Sequence, residues 1–211
     1  MRIAARQVAV GYPGSGRLAL DGVSMEVPDG RLYAVLGPNG SGKSTLMKAV
    51  LGVVPLRSGE IRVDGRSLDS WSRREMAQAV GVVAQSESVA FPLTVRELVG
   101  MGRYPHLGPL GGEGRRDREA VVRALEQCDV AELGIRHAMA ILELLRGWAD
   151  QGMTILVVTH GLDLAARFAD RILLLSAGRV AAQGSPGEVL TGPVLESVYR
   201  WPIAVAPDPS T

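Results

Sequence analysis

The chain has 211 residues, which is enough for one large domain or for a domain with a small second lobe. Its 23 basic and 22 acidic residues give a formal net charge of +1, so bulk charge does not indicate a nucleic-acid-binding protein. The one cysteine, Cys128, excludes an internal disulfide bond and favours a reducing compartment. We expect neither a secretory signal nor a membrane span, because no run approaches the roughly 18 apolar residues that a span needs.

Taken in chain order, the first part of the sequence predicts mostly strands. Short apolar or alternating runs between turn residues predict strands at 3–10, 23–27, 31–36, 59–65 and 80–85. A helix is predicted to begin at Lys43, directly after a glycine-rich turn.

The second part predicts a group of helices and then an alternation of strands and helices. Apolar residues at helical spacing predict helices at 94–102, 114–133, 137–150 and 162–170. Strands are predicted at 154–160, 171–176 and 179–184. This order indicates an α/β fold with a β-rich edge. We expect one domain over 1–205, with a helical lobe at about 90–133 and a disordered tail at 206–211.

The stretch VLGPNGSGKSTLMKAV, residues 35–50, contains the pattern G-x-x-x-x-G-K-[ST] between Gly37 and Ser44. Glycines let backbone N–H groups turn around an anion, and the helix that follows directs its positive end at the same anion. Lys43 would supply a full charge to the outer phosphates, and Ser44 a hydroxyl to Mg²⁺. A plain glycine-rich turn is the alternative, but the strand–loop–helix context favours phosphate binding. The predicted nucleotide-binding residues of this segment are Gly37, Pro38, Asn39, Gly40, Ser41, Gly42, Lys43, Ser44 and Thr45.

Several segments together resemble the ATP-binding subunit of an ABC transporter. They are the phosphate-binding segment, SGEIRVDG after it, GVVAQ ending at Gln85, and VVTHGLDLAARFADRILLLSAGRVAAQGSPGEVL. The segment FPLTVRELVGMGRYPHLG, residues 91–108, resembles the subset that imports iron–siderophore, haem and cobalamin. The resemblance covers nearly the whole chain. It implies a P-loop NTPase (RecA-like) core with an N-terminal antiparallel β subdomain and a small helical lobe.

The resemblance also implies roles for single residues. Tyr12 matches the aromatic residue that stacks on adenine, and a tyrosine in an ordinary turn is the alternative. Gln85 matches the residue that contacts Mg²⁺ and the attacking water, and His160 matches the sensor of the γ-phosphate, so both are catalytic candidates. The Mg²⁺ ligands would be Ser44 and Gln85. His106 and His137 are interpreted as structural.

The cofactors implied by the resemblance are ATP and Mg²⁺. The implied partners are integral-membrane permease subunits, a second copy of the chain and, indirectly, a periplasmic or lipoprotein substrate-binding protein. No nucleic acid is among them. The implied location is peripheral, on the cytoplasmic face of the inner membrane. The sequence does not specify the chelate, because the permease and the binding protein select it.

One part of the family pattern is missing. The family has a signature loop similar to L-S-G-G-[QE], followed by an apolar strand that ends in Asp-Glu, the Walker B segment. Here the helix ending near Leu133 is followed almost directly by the helix beginning near His137, so several tens of residues are absent at Gly134–Ile135. No Asp-Glu dipeptide occurs in the chain. We therefore predict no strand around Gly134, one interior strand missing from the sheet, and no Walker B glutamate.

Two smaller points concern the same pattern. LGGE at 110–113 superficially resembles a signature loop, but it lies before the 114–133 helix, where the family has a glycine-rich connector. Gly161 stands after the histidine, where the family usually has an acidic residue.

Three functional hypotheses remain open. The first is an ATPase subunit that couples hydrolysis to import of an iron chelate or a related metal complex. The second is a nucleotide-binding but hydrolysis-deficient module, which would be an internally deleted copy, a decayed copy or a regulator. Losing a general base alone typically costs about 10²–10⁴ in rate. The third is a small P-loop GTPase or kinase. The GTPase is disfavoured because the sequence has no Asn-Lys-x-Asp segment to read guanine.

Overall fold

The structure, a computed structural model, describes residues 1–82, 94–108, 112–128, 137–203 and 205. The chain forms two compact units. The first unit consists of Met1–Ser70 and Ala138–Thr211, and the second of Trp71–His137.

The elements follow one another along the chain as strands, then helices, then an alternation of both. The described strands are β1 (Ile3–Gly11), β2 (Leu18–Val27), β3 (Leu32–Leu36), β4 (Ser58–Val63), β5 (Arg66–Ser67), β6 (Ile155–Val158), β7 (Arg171–Ser176) and β8 (Arg179–Gly184). The described α-helices are α1 (Lys43–Val50), α2 (Arg73–Ala79), α3 (Val95–Met101), α4 (Arg115–Cys128), α5 (His137–Asp150), α6 (Leu162–Phe168), α7 (Pro186–Val189) and α8 (Gly192–Tyr199). Short 3₁₀ turns lie at Leu68–Ser70 and Tyr104–His106.

Two sheets build the first unit. The antiparallel sheet has the order β2-β1-β4-β5, and the central sheet has the order β6-β3-β7-β8. In the central sheet β3 pairs in parallel with both β6 and β7, and β8 runs antiparallel to β7. The expected α/β fold with a P-loop core and an N-terminal antiparallel β subdomain is confirmed.

The strand β3 lies at the centre of the apolar core. Side chains alternate along a strand, so Tyr33 and Val35 face a cluster shared with β1, β2 and α1. Leu32, Ala34 and Leu36 face a second cluster shared with α5, α6 and α8. All five residues are buried, because both faces of the central sheet are covered. This burial fixes the end of β3, from which the phosphate-binding loop leaves.

The second unit is built on capped helices. Ser72 and Glu75 form a capping box at the start of α2, and Thr94 and Glu97 form another at the start of α3. In α4, Asp117 accepts hydrogen bonds from the Gly114 N–H and from the Arg103 guanidinium, and both contacts hold the pKa of that carboxyl below its usual value.

The predicted strand at 80–85 is wrong where it can be compared with the structure. Residues 80–82 are not in a strand, and Val82 is 56% exposed. A strand requires a neighbouring strand to pair with, and residues 80–82 pair with no strand of the two described sheets. Residues 83–85 and the predicted helix-to-helix connection at Gly134–Ile135 lie outside the described residues, and so does the tail at 206–211.

Other elements match the sequence-based expectations within a few residues, and some were missed. The strand predicted at 154–160 ends at Val158, and β2 begins at Leu18, earlier than predicted. The helices α2, α7 and α8 were not predicted. Among the described helices, none combines the length and the apolar character that crossing a bilayer requires.

Candidate nucleotide-binding site

The phosphate-binding loop, residues 37–42, connects the end of β3 to the start of α1. Within the loop the Ser41 N–H donates to the Pro38 carbonyl oxygen at 3.2 Å and closes a tight turn. The Leu46 N–H of α1 donates to the Gly42 carbonyl oxygen at 2.8 Å, so the helix begins directly after this turn. The strand–loop–helix arrangement predicted from the motif is therefore present in the first unit.

Two glycines of the loop cannot be replaced by a larger residue without a backbone shift. Gly37 has φ +143°, and a Cβ there would collide with the Leu175 carbonyl oxygen and with Ser41 Oγ. Gly42 has φ +105°, and its Cβ would lie 2.7 Å from the Ala19 carbonyl oxygen. The loop is thus packed against neighbouring backbone on its outer side, and only glycine permits this approach.

Lys43 is folded over the loop. Its Nζ donates to the carbonyl oxygens of Gly37 at 2.7 Å and Pro38 at 2.9 Å, and the residue is 6% exposed. Burial lowers the pKa of this ammonium group, because desolvation disfavours the charged form. An anion placed in the loop would reverse that effect by favouring the charged lysine.

The start of α1 fits an anionic ligand. The first N–H groups of any α-helix have no partner within the helix, and here the N-cap is Gly42, which offers no side-chain cap. No acidic residue stands in the first turn. Ser41 Oγ is buried and has no hydrogen-bond partner among the described residues. Ser44, a predicted Mg²⁺ ligand, is exposed at the same helix start.

Tyr12 lies beside this site. It follows β1 and is 40% exposed, and its hydroxyl lies 3.3 Å from Oγ1 of Thr45 in the first turn of α1. The structure therefore brings Tyr12 to the phosphate-binding segment, although 30 residues separate it from Lys43 in the sequence. An exposed ring next to a phosphate-binding loop is able to stack on a base.

His160 lies at the same edge of the central sheet as the loop. Val158 at the end of β6 pairs with Val35 of β3, and the Thr159 N–H donates to the Val35 carbonyl oxygen at 3.3 Å. His160 follows and is exposed. Gln85 lies outside the described residues, so its predicted roles as catalytic residue and Mg²⁺ ligand stay predictions.

Sequence reasoning missed two residues that contact the loop. The Gly178 N–H, in the turn between β7 and β8, donates to the Ser41 carbonyl oxygen at 3.1 Å. Tyr199 at the end of α8 has its hydroxyl oxygen next to the Gly37 N–H; burial raises the pKa of this tyrosine, and the N–H partly offsets the increase. A turn signal was visible in SAGR, residues 176–179, but it carries no information about which loop the turn contacts.

The two sheets and the glycine-rich loop between β3 and α1 define an α/β protein with a P-loop fold. A sequence model of the ABC transporter family matches residues 20–153. The hemin import ATP-binding protein HmuV of Streptomyces coelicolor is 38% identical over 234 residues, covering 93% of this chain and 83% of the relative. HmuV of Rhodococcus jostii is 34% identical over 234 residues, covering 93% of this chain and 80% of the relative.

Solved structures agree in fold. A metal-chelate type ABC transporter in an inward-facing conformation gives a TM-score of 0.79 at 22% identity, covering 95% of this chain and 89% of the other. A dimeric bacterial ABC transporter cassette gives a TM-score of 0.75 at 21% identity, covering 87% of this chain and 98% of the other. This chain belongs to the ABC transporter family, and the expected resemblance to its ATP-binding subunits is confirmed.

Proposed function

We propose that the chain is the ATP-binding subunit of an importer for haem or a related iron chelate. The observation that carries the ATP-binding part of this proposal is the uncapped start of α1 with Lys43 folded over the loop, because N–H donors and one ammonium group lie together there. The names of the relatives support the cargo, because both bacterial proteins compared above are hemin import ATP-binding proteins.

The described residues supply most of a binding mechanism. With nucleotide bound, Lys43 would exchange the carbonyl oxygens of Gly37 and Pro38 for outer phosphate oxygens, and the first-turn N–H groups of α1 would hold the inner ones. Ser44 would offer its hydroxyl to Mg²⁺, and the metal would supply charge neutralisation at the phosphates. Tyr12 would stack on the adenine ring, and His160 would contact the γ-phosphate.

A second candidate function is binding without efficient hydrolysis. The chain contains no Asp-Glu dipeptide, so the usual carboxylate that polarises water is missing from its sequence. The alignment with the Streptomyces coelicolor relative extends over 234 positions, whereas 93% of this 211-residue chain is about 196 residues, so about 38 positions have no residue of this chain. Gaps of this total length are large enough to include both a signature loop and a strand.

The proposed partners follow from the family. ABC importer ATPases work with membrane permease subunits and dimerise. We therefore propose that this chain binds a permease at the cytoplasmic face of the cell membrane and pairs with a second copy of itself. A periplasmic or lipoprotein binding protein would deliver the chelate without contacting this chain.

Calorimetric titration with ATP and Mg²⁺ tests the binding. We expect Lys43→Ala to weaken binding by about a hundredfold, because it removes a buried charge that faces the phosphates. Lys48→Ala is the matched control, since Lys48 is exposed in the last turn of the same helix. Absence of binding by the wild-type chain, or equal binding by both variants, would contradict the proposal.

Phosphate release from the same samples separates the two candidates. Turnover by the wild-type chain above the Lys43→Ala background supports an ATPase. Binding without turnover above that background supports the hydrolysis-deficient module.

A further inference from the structure

The turn between β7 and β8, Ala177 and Gly178, contacts the phosphate-binding loop from outside. The Gly178 N–H donates to the Ser41 carbonyl oxygen at 3.1 Å, and the Gly178 carbonyl oxygen accepts from the Asp21 N–H at 2.9 Å. One peptide segment thus connects the loop to β2. The side chains beside it reinforce the link, because Arg179 Nε lies 2.8 Å from Oδ2 of Asp21.

This contact fixes a peptide plane of the loop. The C=O and N–H groups of a trans peptide point in opposite directions, and no cis peptide occurs in the described chain. Holding the Ser41 carbonyl oxygen at Gly178 therefore directs the N–H of Gly42 to the side of the loop away from the turn. Gly42 is the N-cap of α1, where N–H groups converge on an anion.

The turn has the backbone geometry needed to reach the loop. Ala177 has φ +48° and Gly178 has φ +80°, as in a two-residue type I′ hairpin. A Cβ on Gly178 would lie 2.9 Å from the Ala19 carbonyl oxygen, so any larger residue must move the turn or β2. Ala177 is not one of the residues that usually occupy the first position of this turn. A strained position is maintained only where the surroundings hold it in place.

We propose that Gly178 is a positioning residue for the nucleotide site, acting through Ser41 on the orientation of the Gly42 N–H. The inference rests on the proposed nucleotide binding. In this role the β7–β8 hairpin supports the phosphate-binding loop. A substitution in its turn then alters affinity for phosphate groups, although the turn does not contact the ligand.

A matched pair of glycine variants tests the proposal. The turn between β4 and β5 has nearly the same backbone, with φ +48° at Asp64 and +76° at Gly65, but a Cβ on Gly65 would meet nothing within 4 Å. Both Gly178→Ala and Gly65→Ala therefore place a Cβ at positive φ. We expect Gly178→Ala to lose about tenfold in affinity for ATP with Mg²⁺, and Gly65→Ala to bind as the wild-type chain does. Equal affinity of the two variants would overturn the inference.

A second measurement needs no variant. Amide hydrogen exchange of the wild-type chain, with and without ATP and Mg²⁺, should show slower exchange in a peptide that contains Gly178. A peptide that contains Gly65 should not change. Unchanged exchange at Gly178 in a chain that binds ATP would overturn the positioning role. Failure of the wild-type chain to bind ATP would instead contradict the proposed function, so the two failures are distinguishable.

Discussion

Tyr12 is the residue whose role in the site is easiest to separate from folding. Its ring is 40% exposed beside α1, so removing it opens no cavity in the core. We predict that Tyr12→Ala weakens binding of ATP with Mg²⁺ about tenfold or more, because stacking on a base contributes about 1–3 kcal/mol. Tyr12→Phe should bind normally, since it keeps the ring and loses only a long contact of 3.3 Å with Thr45.

Tyr104 provides the control for the loss of an exposed tyrosine. It is 63% exposed and lies in the second unit, away from the phosphate-binding segment in sequence. Tyr104→Ala should leave calorimetric affinity for ATP unchanged. If Tyr12→Ala binds ATP with wild-type affinity, Tyr12 does not stack on the base, and it is an ordinary turn residue.

The residues of the phosphate-binding loop could be predicted from the sequence, but the residues that contact the loop from other elements could not. The motif from Gly37 to Ser44 is recognisable because its eight residues are consecutive. Gly178 reaches Ser41 only because β7 pairs with β3, which places residues more than 130 positions apart side by side. A hairpin turn is visible in a sequence, but its tertiary contact is not.

At the level of elements, an ionic cluster around Asp170 joins α5 to the start of β3. Asp170 accepts from the Leu32 N–H at 2.8 Å and from Arg146 Nη1 at 2.8 Å, and Arg31 Nη1 lies 3.3 Å away. Burial works to raise the pKa of Asp170, but the hydrogen bonds from Arg146 and Leu32, together with both arginine charges, lower it below its usual value.

We predict that Asp170→Asn lowers the free energy of unfolding by about 1.5–3 kcal/mol at neutral pH, as for hydrogen bonds to a charged group. The folded carboxyl has the lower pKa, so its stabilising effect is complete above the unfolded pKa of about 3.9 and is lost as the pH falls through the folded value. Urea unfolding at pH 7 and at about pH 3 should therefore show the difference from wild type shrinking in acid. Asp69→Asn, at an exposed position, is the control, and a pH-independent difference for Asp170→Asn would contradict the prediction.

Periodicity predicted most elements, and its failures have identifiable causes. The helix α2 is short, but Ser72 and Glu75 form the S-x-x-E capping pattern that could have located it. The helix α8 has a proline within its first two positions and only eight residues, too few for a periodic pattern to be clear. The apolar run at 80–82 has the composition of a strand, yet strand formation depends on a partner that the local sequence does not specify.

At the scale of the whole molecule, the predicted loss of an interior strand would have a consequence for the central sheet. In the part of the chain that the structure describes, β6 pairs with β3 on one side and ends the sheet on the other. Its four residues, ILVV, include neither a proline nor a charge. Natural edge strands usually carry such residues because unpaired backbone groups promote association with other chains. A strand with this sequence is typical of a sheet interior.

We therefore predict that the protein self-associates as its concentration rises, and that a charge beside β6 reduces the association. Met153 is 52% exposed and lies two residues before β6, so Met153→Lys adds a gatekeeping charge with little loss of packing. Val53→Lys adds the same charge at a position that is 66% exposed and follows α1. Sedimentation velocity over a concentration series should show less association for Met153→Lys than for Val53→Lys or the wild-type chain. A wild-type chain that stays monomeric throughout, or equal suppression by both lysines, would mean that this edge does not drive association.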